Sequence, residues 1–214
     1  MKTKIYPLLS AGLGLGCAVL GLLAGGCSLP QVQPDLARYF VLTGQPLRLA
    51  DSAPAGSATS RIGLRAVEVP AFLRTKSMVV RVNRNEVRLV EDARWAEPLE
   101  AGIARALREN LDAHPGVSRV VLVTATSDQP RDFDVVIRVL RCEGGRDGDV
   151  ARFAARIEIL APNTTNERRA SDVFSTEVAG WNGNDYGQLA QKLSEAIAEL
   201  ADRVVKLADA SQPK

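Results

Sequence analysis

The sequence has few of the side chains from which active sites are usually built. It contains one histidine, His114, among 214 residues. A hydrolytic triad needs its histidine held by an acid and directed at a serine, whereas His114 lies in "AHPG", at the predicted end of a helix. An imidazole at that position interacts favourably with the helix dipole. A structural role for His114 is therefore predicted, and the sequence offers no candidate catalytic residue.

Motifs for binding nucleotides, metals and nucleic acids are also missing. There is no GxxxxGKS/T loop and no GxGxxG fingerprint. Two acidic pairs occur, Asp132 with Asp134 and Asp147 with Asp149, but the other oxygen ligands of a calcium loop are absent. We interpret both pairs as solvated charge, with Asp132 and Asp134 together on the solvent face of a strand. No metal or cofactor is predicted.

The sequence begins with the features of an export signal. Lys2 and Lys4 precede an uncharged stretch from Leu8 to Gly26 that ends in small residues, as in a secretory signal peptide. The stretch contains six glycines, each of which costs roughly 1 kcal/mol relative to alanine in a helix. The composition therefore favours a signal peptide over a permanent membrane helix.

A cysteine stands where this signal ends. The segment "LAGGC", with Cys27 as its last residue, resembles a bacterial lipobox. The resemblance implies that residues 1–26 are cleaved off and that Cys27 carries a diacylglycerol and a further acyl chain such as palmitate, which together hold a protein firmly in a membrane. Ser28 follows instead of Asp, which favours the outer membrane. An ordinary signal peptide with an incidental cysteine and a retained membrane anchor are the alternatives.

The mature chain is predicted to be neutral and free of disulfides. Cleavage removes Lys2 and Lys4 from the 27 basic residues, which leaves 25 against 25 acidic residues. The basic surface typical of nucleic-acid binding is therefore absent. Cys17 is lost with the signal and Cys27 is acylated, so Cys142 has no partner. Residues 27–36, which contain two prolines, are predicted to be a tether, and residues 37–210 a single domain.

Apolar patterning predicts the elements of that domain. A helix beginning at Pro98 has a stripe of apolar residues at intervals of four, and a 25-residue helix beginning at Asp185 has a longer one. The stripes are Leu99, Ile103, Leu107 and Leu111, and then Leu189, Leu193, Ile197, Leu200, Val204 and Leu207. Strands are predicted at 38–44, 61–70, 77–90 as a hairpin, 117–124 as an interior strand, and three times between 133 and 178.

This order of elements predicts an α+β fold. Strands with one apolar and one charged face are typical of antiparallel meanders, and two amphipathic helices can cover such a sheet from one side. We therefore expect a two-layer sandwich in which a largely antiparallel sheet carries both helices on one face.

Several segments together resemble one known family. They are the lipobox followed by "YFVL", then "VEVPAFLRTKSMVVRV", "RWAEPLEAGIARALRENL" and "DYGQLAQKLSEAIAEL". This ordered set, from Arg38 to Leu207, resembles the ABC-type transport auxiliary lipoprotein family, which includes the lipoprotein of the paraquat-inducible, MCE-type systems. The resemblance implies a periplasmic, outer-membrane-anchored subunit without catalytic residues. Its partner would be an MCE-domain protein that connects to an ABC permease and ATPase, and its cargo a phospholipid or another hydrophobic molecule.

A neutral domain without an active site acts through its surfaces. Phe72 and Leu73 in "VPAFL" lie outside any periodic stripe and are predicted to contact the partner, with local core packing as the alternative. A homo-oligomer is also predicted, because confinement to a membrane plane raises the effective concentration. The alternative functions are an envelope lipoprotein that scaffolds another complex and a lipoprotein hydrolase.

We expect Cys27→Ala to abolish incorporation of a fatty-acid analogue and to leave the precursor uncleaved, because the acylated thiol marks the site for the lipoprotein peptidase. Both effects are read on one gel, from the label and from the size of the band. Cys17→Ala is the control and should be labelled and cleaved like the wild type. Normal labelling of Cys27→Ala would contradict the lipobox interpretation.

Overall fold

The computed structural model describes residues 35–45, 60–123, 129–145, 149–162 and 167–211. Cys27, Asp147 and the whole of 46–59 lie outside these residues. In the unit that starts at Ala37, the strands are β1 Arg38–Phe40, β2 Ser60–Glu68, β3 Ser77–Asn83, β4 Glu86–Trp95, β5 Val117–Leu122, β6 Phe133–Gly145, β7 Val150–Leu160 and β8 Arg168–Ala179. The helices are α1 Leu99–Ala113 and α2 Tyr186–Ala210, and a short 3-10 turn spans Ala71–Leu73.

The described strands form one mixed, open sheet organised around β6. On one side of β6 lies β7, which is antiparallel to β6, and beyond it lies β8, which is antiparallel to β7. On its other side two strands share β6, since β2 pairs with residues 133–138 and β3 with Gly144 and Gly145, both in parallel. The sheet continues from β2 to β5, and separately from β3 to β4 and β1. We call β2 with β5 one arm of the sheet and β3 with β4 and β1 the other arm. The place where the two arms separate is the fork, and residues 69–76, which connect β2 to β3, are the fork loop.

The α+β prediction is confirmed, and the sheet has more parallel pairing than expected. The two longest ladders, β6–β7 and β7–β8, are antiparallel with eleven residue pairs each. Four shorter pairings are parallel: β1–β4, β2–β5, β2–β6 and β3–β6. Alternation of apolar residues predicts which face of a strand is buried but not the direction of its neighbour.

Both helices lie on the sheet with their predicted stripes buried. All four stripe residues of α1 and the first five of α2 are at most 3% exposed, while Leu207 is partly buried. Helix α1 contacts β2 and β5, α2 contacts β6, β7 and β8, and the helices contact each other. Asp185 caps α2, because its Oδ1 accepts from the backbone N of Gly187 and Gln188 at 2.9 and 3.2 Å. The core is therefore the layer between the sheet and the two helices.

Strand β5 is at an edge of the sheet, although its apolar sequence predicted an interior position. Among the described strands it pairs with β2 alone, and Leu122 is 51% exposed. Helix α1 covers part of this edge, since Asp112 Oδ1 accepts from Val120 N at 3.1 Å. Burial raises the pKa of Asp112 above its usual value. The hydrogen bond from Val120 N and the positive charge of Arg108 oppose this rise. An apolar run alone does not distinguish a central strand from an edge strand covered by a helix.

The prediction that Asp132 and Asp134 share the solvent face was also wrong. Asp134 is 1% exposed and forms a buried ion pair with Arg131. Asp132 pairs with Arg61 at 2.7 Å near the surface, and this hydrogen bond lowers the pKa of Asp132. A buried carboxylate requires a partner, and here Arg131, three residues earlier, provides it.

The β3–β4 hairpin has an irregular register. Val80 lies opposite Arg88, whereas Val87 and Leu89 lie opposite Arg81 and Val79. The register shifts at both ends of this pairing, and Leu89 is 49% exposed while Val90 is buried. Asn83 stabilises the hairpin turn, since its Oδ1 accepts from Asn85 N at 3.0 Å.

Leu200→Asp should lower the free energy of unfolding by about 3 kcal/mol or more, because it places an unpaired charge at a fully buried position of α2. Urea unfolding measures the change. Leu122→Asp makes the same substitution at an exposed leucine and should change stability by less than about 1 kcal/mol. Equal losses in both variants would mean that the α2 stripe is not the core of the fold.

Candidate partner-binding site

The fork loop is a compact turn held by its own backbone. Leu73 N donates to Pro70 O at 2.9 Å, and Arg74 N donates to Ala71 O at 3.1 Å. The Arg74 side chain closes the turn further, since its Nε donates to Val69 O at 3.1 Å. The loop therefore presents its side chains in defined directions where the two arms of the sheet separate.

The two residues predicted to contact a partner have opposite environments in this turn. Phe72 is 41% exposed, whereas Leu73 is 1% exposed and belongs to the hydrophobic core. Leu73 is thus not available at the surface, and the alternative of local core packing describes its position. Phe72 alone keeps the partner-binding prediction open.

Two hollows open at the fork, one on each arm. The first, of about 380 Å³, lies between Arg74–Lys76 of the fork loop and residues 95–100, where β4 ends and α1 begins. The second, of about 250 Å³, is lined by the end of β2, the end of β5 and the first turns of α1. Glu100 lines both. Apolar walls with charged residues at the rim suit contact with another protein.

The charged residues of the first hollow come from both of its sides. Arg74 and Lys76 lie on the fork loop, and Glu97 and Glu100 lie at the start of α1. Glu97 is engaged by Arg105 at 2.7 Å. Nothing local in the sequence distinguishes Lys76 or Glu100 from other surface charges. The β3–β4 pairing brings the two sides of the hollow together, since Ser77 lies opposite Arg94 and Trp95 N donates to Lys76 O at 2.6 Å.

His114 lies between a backbone amide and a carboxylate. Its Nδ1 accepts from Gly116 N at 3.0 Å, which closes the turn after α1, and its Nε2 lies 3.7 Å from Asp202 Oδ1. The adjoining hollow of about 320 Å³ has no serine, threonine or cysteine among its described lining residues. The imidazole therefore has an acid beside it but no described nucleophile there.

Cys142 is buried in β6 as a free thiol. Burial raises the pKa of this thiol to about 12, with a further contribution from the negative charge of Glu143. Among the described residues, no three His, Cys, Asp or Glu side chains come together as metal ligands would. No helix within those same residues is both long and apolar enough to cross a membrane.

The sequence resembles one protein family along most of its length. The sequence matches the ABC-type transport auxiliary lipoprotein component family over residues 41–205, which include the fork loop, α1 and most of α2. The chain belongs to this family. The predicted family resemblance is therefore confirmed, and ABC transport is the process with which the family is associated.

Two solved structures share the fold of this family member. Protein XCC0632 from Xanthomonas campestris, a DUF330 protein, is 17% identical with a TM-score of 0.63, over 80% of this chain and 95% of its own. An uncharacterized protein is also 17% identical, with a TM-score of 0.58, over 78% of this chain and 98% of its own. None of the curated proteins matches the sequence. At these identities the structural similarity supports the fold alone.

Leu73→Ala should destabilise the domain by about 2–5 kcal/mol, because it opens a cavity in the core. Phe72→Ala should cost less than about 1 kcal/mol, since much of the ring is already in solvent. Thermal unfolding of the two variants side by side makes the comparison. A larger loss for Phe72→Ala would place that ring in the core and remove it from the candidate site.

Proposed function

We propose that this protein is a non-enzymatic, lipid-anchored auxiliary subunit of an intermembrane transport system that consists of an ABC permease, its ATPase and an MCE-domain protein. Membership of the ABC-type transport auxiliary lipoprotein family supports the association with an ABC system. The lipobox at Cys27 and the serine after it support anchoring in the outer membrane, with the domain facing the periplasm. The cargo is a phospholipid or another hydrophobic molecule.

The exposure of Phe72 supports a contact with the MCE-domain protein at the fork. A protein without a catalytic centre can assist transport by holding its partner in place, and aromatic residues at the centre of an interface contribute much of its binding energy. Phe72 is a half-exposed aromatic ring on a turn closed by backbone hydrogen bonds, and the first hollow adjoins that turn at Arg74. We propose that the partner inserts apolar side chains there, around Phe72.

Self-association is a further part of the proposal. Anchored copies share one plane, so a weak interface is sufficient for assembly. A closed symmetric ring would surround the end of a transport channel. A homo-oligomer of this kind gives each partner molecule several equivalent Phe72 contacts.

The alternative proposal is an envelope lipoprotein that scaffolds a different complex. The two proposals share the anchor and the absence of catalysis and differ in the partner. Adjacent genes for an MCE-domain protein, a permease and an ATPase would favour transport, whereas neighbours of other kinds would favour scaffolding.

Phe72→Glu should weaken capture of the MCE-domain protein at least about tenfold, because a charge replaces the apolar centre of the contact. Binding is measured by pull-down with the purified mature protein, and light scattering on the same samples reports the oligomeric state. Val173→Glu is the matched control, since Val173 is 53% exposed on β8, and it should bind normally. Equal binding by both variants would contradict the fork as the contact site, and no binding by the wild type would contradict the MCE partner.

A further inference from the structure

The N-terminal end of the domain is fastened to the helix layer. After β1, the backbone of residues 42–45 is held by four side chains of α1 and α2, three as acceptors and one as a donor. The bonds are Thr43 N to Ser194 Oγ at 3.0 Å, Gly44 N to Glu109 Oε2 at 3.0 Å, Gln45 N to Asn110 Oδ1 at 3.1 Å and Arg105 Nη2 to Leu42 O at 2.7 Å. The segment that follows β1 is therefore fixed to both helices.

Residues 39–42 alternate between the core and the solvent. Phe40 packs against the core and Leu42 is 1% exposed. Tyr39 and Val41, which point the other way along an extended chain, are 54% and 47% exposed. Two large apolar side chains thus face outward at the place where the tether joins the domain.

A third exposed apolar residue lies on the neighbouring strand. Leu89 of β4 is 49% exposed, and the next residue, Val90, faces the core. Tyr39 pairs with Arg94 of β4, which is opposite Ser77, and Leu89 is opposite Val79. From strand spacings, Leu89 and Tyr39 are within about 10 Å. We call Tyr39, Val41 and Leu89 the edge patch.

The length of the tether limits how far the edge patch can be from the anchor. Eleven residues lead from Cys27 to Arg38, and they can separate these two residues by at most about 40 Å. A domain of this length has a radius of gyration of about 16 Å. An acylated Cys27 therefore keeps the β1 edge within about 40 Å of the membrane, whereas the opposite side of the domain can lie further away.

The charges around the edge patch are mixed. The edge patch is flanked on β1 and β4 by Arg38, Arg88 and Arg94 and by Glu91 and Asp92. This balance gives little attraction to an anionic surface, so a contact there depends on apolar and aromatic groups. Tyrosine suits the boundary between headgroups and acyl chains, because its ring is apolar and its hydroxyl is polar.

We propose that the edge patch rests on the interface of the bilayer that carries the anchor, with Tyr39, Val41 and Leu89 in contact with phospholipid. The inference rests on the acylation of Cys27 that belongs to the proposed function. It adds an orientation, because contact at the edge patch holds the β1–β4 side of the sheet against the membrane.

The test uses the full mature, acylated protein in phosphatidylcholine vesicles. Leu89→Cys carries a spin label, and Val173→Cys is the matched control at an exposed aliphatic residue of β8. Cys142 does not compete for the label, because it is buried and its thiol pKa is about 12. Electron paramagnetic resonance then compares the accessibility of each label to oxygen, which concentrates in lipid, with its accessibility to a water-soluble nickel chelate.

We expect oxygen to relax the label at position 89 more than nickel does, and the reverse at position 173. The stronger relaxation by oxygen at position 89 should not change in high salt, because salt does not screen an apolar contact. A nickel-accessible label at position 89 on protein that floats with the vesicles would overturn the inference alone. A label shielded from both reagents would also overturn it, because protein, such as a second copy, would then cover the patch. Protein that does not float with the vesicles would contradict the anchor and, with it, the proposed function.

Discussion

The need of β6 for partners on both of its edges organises the rest of the structure. This strand has 13 residues, and its buried backbone groups must all be satisfied. One long strand, β7, satisfies one edge, whereas β2 and β3 divide the other between them. The chain must therefore leave the sheet after β2 and return to it as β3. The fork loop and the exposure of Phe72 within it follow from that interruption.

The same strand also fixes the position of the helix layer, through a packing contact at Gly144. Trp181 packs so closely on Gly144 of β6 that a Cβ there would overlap its ring. The indole Nε1 of Trp181 donates to Asp185 O at 2.9 Å, and Asp185 is the residue that caps α2. The beginning of α2 is thus fixed over the end of β6 that pairs with β3, and the α2 stripe runs from there across β7 and β8.

Local patterns predicted the elements well and their long-range relations poorly. The stripes from Leu99 to Leu111 and from Leu189 to Val204 are periodic in the sequence, and they are buried. The edge position of β5 and the burial of Asp134 depend on residues that are close in space after folding. Leu73 and Phe72 show most clearly what local patterns do not predict. They are adjacent apolar residues outside any periodic stripe, yet Leu73 is buried and Phe72 is exposed, because the chain turns at the fork.

The fastening of residues 42–45 also determines how the domain bears mechanical load. Strand β1 has three residues, and a ladder that short would peel easily under tension applied from its N-terminal end. The hydrogen bonds that follow it connect the segment to α1 through Glu109 and Asn110 and to α2 through Ser194. A pull along the tether that detaches β1 from β4 is therefore opposed next by these bonds to both helices, so the loss of β1 does not by itself open the core.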